Sequence, residues 1–259
     1  MSDILTVQDL INEVRSDLDE EVDTGTNDTN FFLDSEFVVW MNKGIRKVWQ
    51  IAREAKENWF HRKVSSTDGK LTIYGRAYDP ASLQLTSGTR EVKLPPDCFE
   101  LRLIEPITSS SEEERDDGVE FIMTDLANPA YRRLSRQEGP EIGGRYECDL
   151  IFRADGPVLT FAPAIALSET MNIRIEYVAA PRRLRQTDTF EGTGLNEFML
   201  DAVAAYVTYR ARKKEGNKGD IDTALADYGD QAGAVRDSAG PRQSRDPEFV
   251  HGFLEDEIY

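Results

Sequence analysis

A chain of 259 residues with 39% hydrophobic content can bury a substantial core, and its length fits one large or two small domains. Its 48 acidic and 31 basic residues leave a formal net charge of −17, which argues against a surface built mainly to grip nucleic acid or an anionic membrane. A DNA conduit stays open, because a negative wall gains no counterion release from phosphate and lets DNA pass without sticking.

Cys98 and Cys148 are far apart and outside any paired-ligand spacing, so neither a disulfide framework nor a zinc site is expected. The opening MSDILTVQDL lacks a basic leader and a long apolar run, and no stretch reaches the length of a membrane span. Synthesis and residence in a reducing cytoplasm follow as the expectation.

In chain order, Val7, Leu10, Ile11, Val14 and Leu18 recur at helical spacing behind a Thr6–Asp9 capping pattern, which predicts a helix over 6–18. The acidic, turn-rich residues that follow, through Asn30, read as a solvated loop. Phe37, Met41, Gly44, Ile45, Val48, Ala52 and Ala55 then mark one face of a long helix over 34–57, with Asp34 or Ser35 as its cap. Val38, Trp40 and Trp49 widen that stripe, so this helix needs partners on more than one side.

Beyond Phe60 the period shortens to alternation, and strands are expected over 62–66, 70–74, 82–86 and 90–94, with Asp68-Gly69 and Ser87-Gly88 as hairpin turns. Pro95 and Pro96 cannot donate to a ladder and stop the sheet; Leu101, Leu103 and Ile104 resume it. Residues 109–118 are polar and without period. A strand over 119–123, a short helix over 125–136 and strands over 145–153, 158–162 and 172–179 complete a β insertion at about 60–180. In the last strand Ile173, Ile175 and Tyr177 face one way, Arg174 and Glu176 the other.

Helical period returns over 195–215, with basic residues at the C-terminus, and over 220–236, where Asp220 is the expected cap. The order predicts an α+β fold: a four-helix bundle of two N-terminal and two C-terminal helices, with an inserted antiparallel β lobe, as a single domain over 1–237. Residues 238–259 carry Phe249, Val250, Phe253, Leu254 and Tyr259. They either pack back on the bundle or form an extended arm that docks on a neighbouring subunit or another protein; Pro241 and Pro247 favour the arm.

Several separated pieces resemble the head-to-tail adaptor proteins of tailed bacteriophages. Leu5–Ile11 looks like that family's first helix, and Leu33–Ile45 like its second, with the pattern D-x-E, hydrophobic residues, then N-x-A/G. Arg90–Phe99 is similar to its strand-ending LPxDF turn. Gly156–Ala164 and Ile173–Pro181 resemble its late strands, and Phe198–Arg212 its following helix. The resemblance implies a homo-oligomeric ring of about twelve subunits around a DNA channel. It also implies a portal protein above, a downstream tail or nozzle protein below, DNA passing without sequence-specific binding, no membrane partner, and a virion location in the neck or tail. On that reading Phe249, Val250, Phe253, Leu254 and Tyr259 are candidate portal or neighbour contacts, and Trp40, Lys43, Lys47, Arg182 and Arg183 candidate intersubunit contacts.

The search for chemistry returns no catalytic, cofactor-binding or metal residues. His61 and His251 are the only histidines, and no nucleophile motif lies near either. Asp19-Glu20-Glu21 and Glu112-Glu113-Glu114 lack the spacing of a calcium loop and read as solvated faces, and Gly139–Gly144 lacks the Lys-Ser/Thr of a phosphate loop. The rival readings are a tail-completion or baseplate protein, which needs no four-helix frame, and an acidic carboxylate-based hydrolase, which needs one carboxyl raised in a cleft.

Overall fold

Thr6 caps the first helix, α1 (Val7–Asp17), as its sequence pattern requires: its hydroxyl accepts the Asp9 N–H at 3.1 Å, while the Asp9 carboxylate accepts the Thr6 N–H at 2.9 Å. The computed structural model describes residues 6–19, 31–107, 119–124, 144–166, 170–190 and 193–238. The predicted helix over 125–136 lies outside them. The described residues group into two compact units: a helical unit of residues up to 57, 183–190 and 195–238, and a β unit of 58–182 with 193–194.

The helical unit holds α1, α2 (Asp34–Ala55), α3 (Glu197–Glu215) and α4 (Lys218–Ser238). α3 packs against α4, α2 and α1, and α2 also packs against α4. The buried face of α2 consists of Phe37, Met41, Gly44, Ile45, Val48, Trp49 and Ala52, the stripe its period predicts apart from Ala55, with Trp49 added. α3 buries residues nearly all round, from Met199 to Ala211, as a helix enclosed by neighbours must.

Three helix ends differ from expectation. Neither Asp34 nor Ser35 caps α2: Leu33 holds the cap position, and the Glu36 carboxylate reaches back to its N–H at 3.2 Å. Gly216 ends α3 in the left-handed region at φ 85°, as expected, but Gly219 falls in the first turn of α4. There the Asn217 side chain accepts the Gly219 N–H at 3.2 Å, and Asp220 is a first-turn residue, not the cap.

In the β unit, β1 (His61–Ser65), β9 (Asn172–Ala179) and β5 (Cys98–Ile107) form an antiparallel sheet in the order β1-β9-β5. A second sheet runs β4 (Glu91–Lys93), β8 (Gly156–Ala162), β7 (Arg145–Arg153), β6 (Glu120–Met123). Its β6–β7 pair is parallel, against the expectation of a wholly antiparallel lobe. The chain between those strands, residues 124–144, is long enough for the crossover a parallel pair needs. β2 (Leu71–Ile73) and β3 (Arg76–Tyr78) form a separate hairpin. All three share one core, from Val64, Leu85 and Ile104 to Tyr146, Leu159, Phe161, Ile173 and Ile175.

The expected hairpin turns are displaced. β1 pairs with β9, not β2, so Asp68-Gly69 closes no hairpin; residues 82–86 form a 3-10 turn (Pro80–Leu83) and a lone bridge from Leu85 to Met171. The two-residue turns are Tyr74-Gly75, with φ of 55° and 73°, and Ala154-Asp155. Tyr74 holds its left-handed conformation while its hydroxyl donates to the Ala180 carbonyl and the Arg62 guanidinium lies 6.0 Å over its ring.

The Pro95-Pro96-Asp97 turn anchors the first sheet. The Asp97 carboxylate has no exposed surface; it binds Arg62 at 2.8 Å and accepts the Tyr177 hydroxyl at 3.0 Å, while its carbonyl accepts the Ala180 N–H at 2.8 Å. Burial pushes this carboxyl above the usual range, and Arg62 and Tyr177 pull it back. Replacing Asp97→Ala leaves the buried Tyr177 hydroxyl without its acceptor and should destabilise the protein by about 1–3 kcal/mol in denaturant unfolding. Gly44→Ala should also destabilise, by about 1–3 kcal/mol, although Ala is the better helix former: an added Cβ would sit 2.8 Å from Tyr206 Cδ1.

Candidate functional site

α2 is bound by polar groups from α1, from the 183–190 segment and from α3. Arg15, 3% exposed on α1, donates to the Phe32 carbonyl at 3.0 Å, pairs with Asp34 at 2.7 Å and lies 5.0 Å over the Phe37 ring. One guanidinium thus holds the start of α2 against the end of α1. The other Asp34 oxygen accepts from Gln186 at 2.6 Å, and Gln186 also donates to Gln8 at 2.9 Å. The Asn42 amide accepts the Leu184 N–H at 2.8 Å and donates to the Leu184 carbonyl at 2.9 Å. Glu36 pairs with Lys214 of α3 at 2.8 Å. Asp34, Glu36, Asn42 and Gly44, the residues of the D-x-E…N-x-G pattern, are therefore all committed to folding.

The outer side of α2 is different. Ser35, Val39, Lys43, Arg46, Gln50 and Glu54 are exposed at successive steps of three and four. Neither Lys43 nor Arg46 has an ion-pair partner among the described residues. Lys47 is half-buried, its ammonium 5.4 Å over the Tyr206 ring. Trp40 is half-buried too, edge-on to Phe32 and Phe37 at 5.7 Å each, so its visible packing is within the subunit. Arg182 is half-buried at the end of the β unit, and Arg183 is exposed at the start of the return segment. Trp40, Lys43 and Lys47 all belong to α2. Phe249, Val250, Phe253, Leu254 and Tyr259 lie outside the described residues, as do Glu20, Glu21 and Glu112–Glu114.

Sequence reasoning missed the working parts of this arrangement: Arg15, the Asn42 clamp, Gln186 and the Asp97 network. Two signals pointed at them. Arg15 interrupts the buried stripe of α1, and Asn42 sits beside the apolar stripe of α2 where a hydrophobe would otherwise pack.

No catalytic constellation emerges among the described residues. His61 is exposed at the start of β1, and both cysteines are buried with their thiols pushed up by burial. No group of three His, Cys, Asp or Glu residues is placed to hold a metal among the described residues, and no described helix is long and apolar enough to cross a membrane. The raised carboxyls form no cleft pair. Glu13 is raised by burial and by Asp17 and Asp201; Asp17 by burial and Asp227, against Arg212; Asp201 by burial and Glu197. They mark like charges crowded where helices meet.

The motif residues of α2 are thus consumed in packing within the helical unit. A family model described as SU10 adaptor protein matches residues 5–249, almost the full chain and both units. The chain belongs to this family of bacteriophage head-to-tail adaptor proteins. No curated protein matches it in sequence.

The crowded carboxyls have a measurable consequence. A carboxyl whose folded pKa is raised weakens the folded state once pH exceeds that pKa, and the penalty disappears below the unfolded value near 4. Glu13, with a buried oxygen that finds no hydrogen-bond partner among the described residues, is the clearest case. Glu13→Gln should raise the melting temperature by about 1–4 °C at pH 7 and leave it unchanged near pH 3.5.

Proposed function

We propose that the chain forms a ring of about twelve copies below a portal, connects capsid to tail and lines the channel through which DNA passes. The helices form a four-helix bundle that supplies the wall of the ring, and the residues after Ser238 form an arm that uses Phe249, Val250, Phe253, Leu254 and Tyr259 to hold the portal. Lys43, Lys47, Arg182 and Arg183 serve subunit contacts, with Trp40 at their edge. The protein is a virion component of the neck, made in the bacterial host, and has no enzymatic role.

The observation that carries this reading is the family match across residues 5–249. The structure supports it, because every polar residue of the α2 pattern is spent on holding the subunit together and none converges on a cleft. About twelve copies would bring roughly −200 formal charges, which suits a channel wall that DNA slides past.

The isolated chain should scatter light as a monomer, and negative-stain images of the chain mixed with its portal should show rings capping portals. A stable oligomer of two to four in isolation, or portals left bare, would contradict the reading. Cutting the chain after Ser238 should leave the melting transition in place and abolish capture by the portal.

A further inference from the structure

The outer face of α4 has two properties that the subunit's own packing does not explain. First, Asp222, Asp230 and Asp237 are all exposed, and none has an ion-pair partner among the described residues. Second, Gly229 and Gly233 stand one turn apart in the middle of the helix, where glycine is the poorest helix former after proline. Gly44 is explained by Tyr206 lying against it. At Gly229 and Gly233 an added Cβ would meet nothing within 4 Å. Two glycines with open space beside them allow another helix to approach the backbone closely.

α2 carries the complement. Val39, Lys43 and Arg46 are exposed along one line, and both cations are unpaired among the described residues. Lys43 and Arg46 stand about 4.5 Å apart along α2 and Asp222 and Asp230 about 12 Å apart along α4, so both cations fall within the span of the two carboxylates. α2 and α4 already pack together inside the subunit through other residues, so these two exposed stripes can meet only between copies. A contact between two different faces repeats head to tail and can close into a ring.

We propose that the Val39–Lys43–Arg46 face of α2 in one subunit docks along the Asp222–Gly233 face of α4 in the next copy of the chain. The carboxylates receive the cations, and the glycines admit Val39 and its neighbours close to the α4 backbone. The inference rests on the ring reading for its repetition and adds the two faces that meet.

Charge reversal tests it. Lys43→Glu with Arg46→Glu should reduce ring formation on the portal at least tenfold, as should Asp222→Lys with Asp230→Lys, and the chain carrying all four changes should regain it. Gly229→Leu with Gly233→Leu should block rings while leaving the melting temperature of the isolated chain equal or higher, because leucine is the better helix former. Since Cys98 and Cys148 are buried, an equimolar mixture of Arg46→Cys and Asp230→Cys chains on the portal should give disulfide-linked pairs under mild oxidation. Rings formed normally by either reversal, or no recovery in the fourfold variant, would overturn the proposal and leave the ring reading standing. Absence of rings in the unaltered chain would overturn both. A melting temperature lowered by the leucine variant would show that α4 is covered within its own chain, and would also overturn it.

Discussion

The side-chain amide of Asn42 holds both backbone groups of Leu184, 142 residues further along the chain. That pair of hydrogen bonds registers the return segment against α2, and the rest of the helical unit depends on the registration. With Leu184 fixed and itself buried, Gln186 meets Asp34 and Gln8, the Asp188 carbonyl accepts the Val7 N–H, and the chain is set to begin α3. A half-buried amide that satisfies both its donor and its acceptor on backbone is strongly placed, because leaving a desolvated partner bare would cost about 1–3 kcal/mol. Arg15 performs the matching task at the other end of α2.

The β unit is organised by a different device, a buried charge in a turn. Asp97 follows two prolines that cannot extend a ladder, and its carboxylate gathers Arg62 of β1 and Tyr177 of β9. The sheet is thus tied to the turn that ends it. Buried tyrosines do similar work elsewhere: the Tyr78 hydroxyl donates to the Lys93 carbonyl, and the Tyr146 hydroxyl bonds both backbone groups of Ala166. Each unit therefore stabilises its irregular backbone with a few long-range polar bonds set in an apolar core.

Much of this architecture was legible in the residues. The four helices followed from a 3.6-residue period, since the same Phe37–Ala52 stripe that spells the period is what α3 and α4 bury. Most strands followed from alternation, most cleanly Ile173, Ile175 and Tyr177. The turns were less legible, because Asp68-Gly69 advertises a hairpin while Tyr74-Gly75 forms one; the tyrosine at positive φ bonds a carbonyl 106 residues away, which no local window contains. The parallel pairing of β6 was hidden by the length of its connection. The site was legible in outline only. The D-x-E…N-x-G and LPxD patterns marked residues that matter, but their function is to bind distant backbone and charge, and such partners are set by the fold. Trp40, set off from the main stripe, packs in an aromatic cluster with Phe32 and Phe37, residues that its own helical period does not pick out together.

A subunit built this way separates folding from assembly. The inner side of α2 holds the helical unit together, and the outer sides of α2 and α4 carry charges of opposite sign that have no ion-pair partner among the described residues. A cryo-electron microscopy reconstruction of the phage neck tests that account most directly. It should show this chain as a ring between portal and tail, with each helical unit retaining the Asn42–Leu184 clamp and touching its neighbour through the outer faces of α2 and α4. A neck lacking the chain, or a ring in which the α2 motif residues leave their intrachain partners to bind the next subunit, would contradict it.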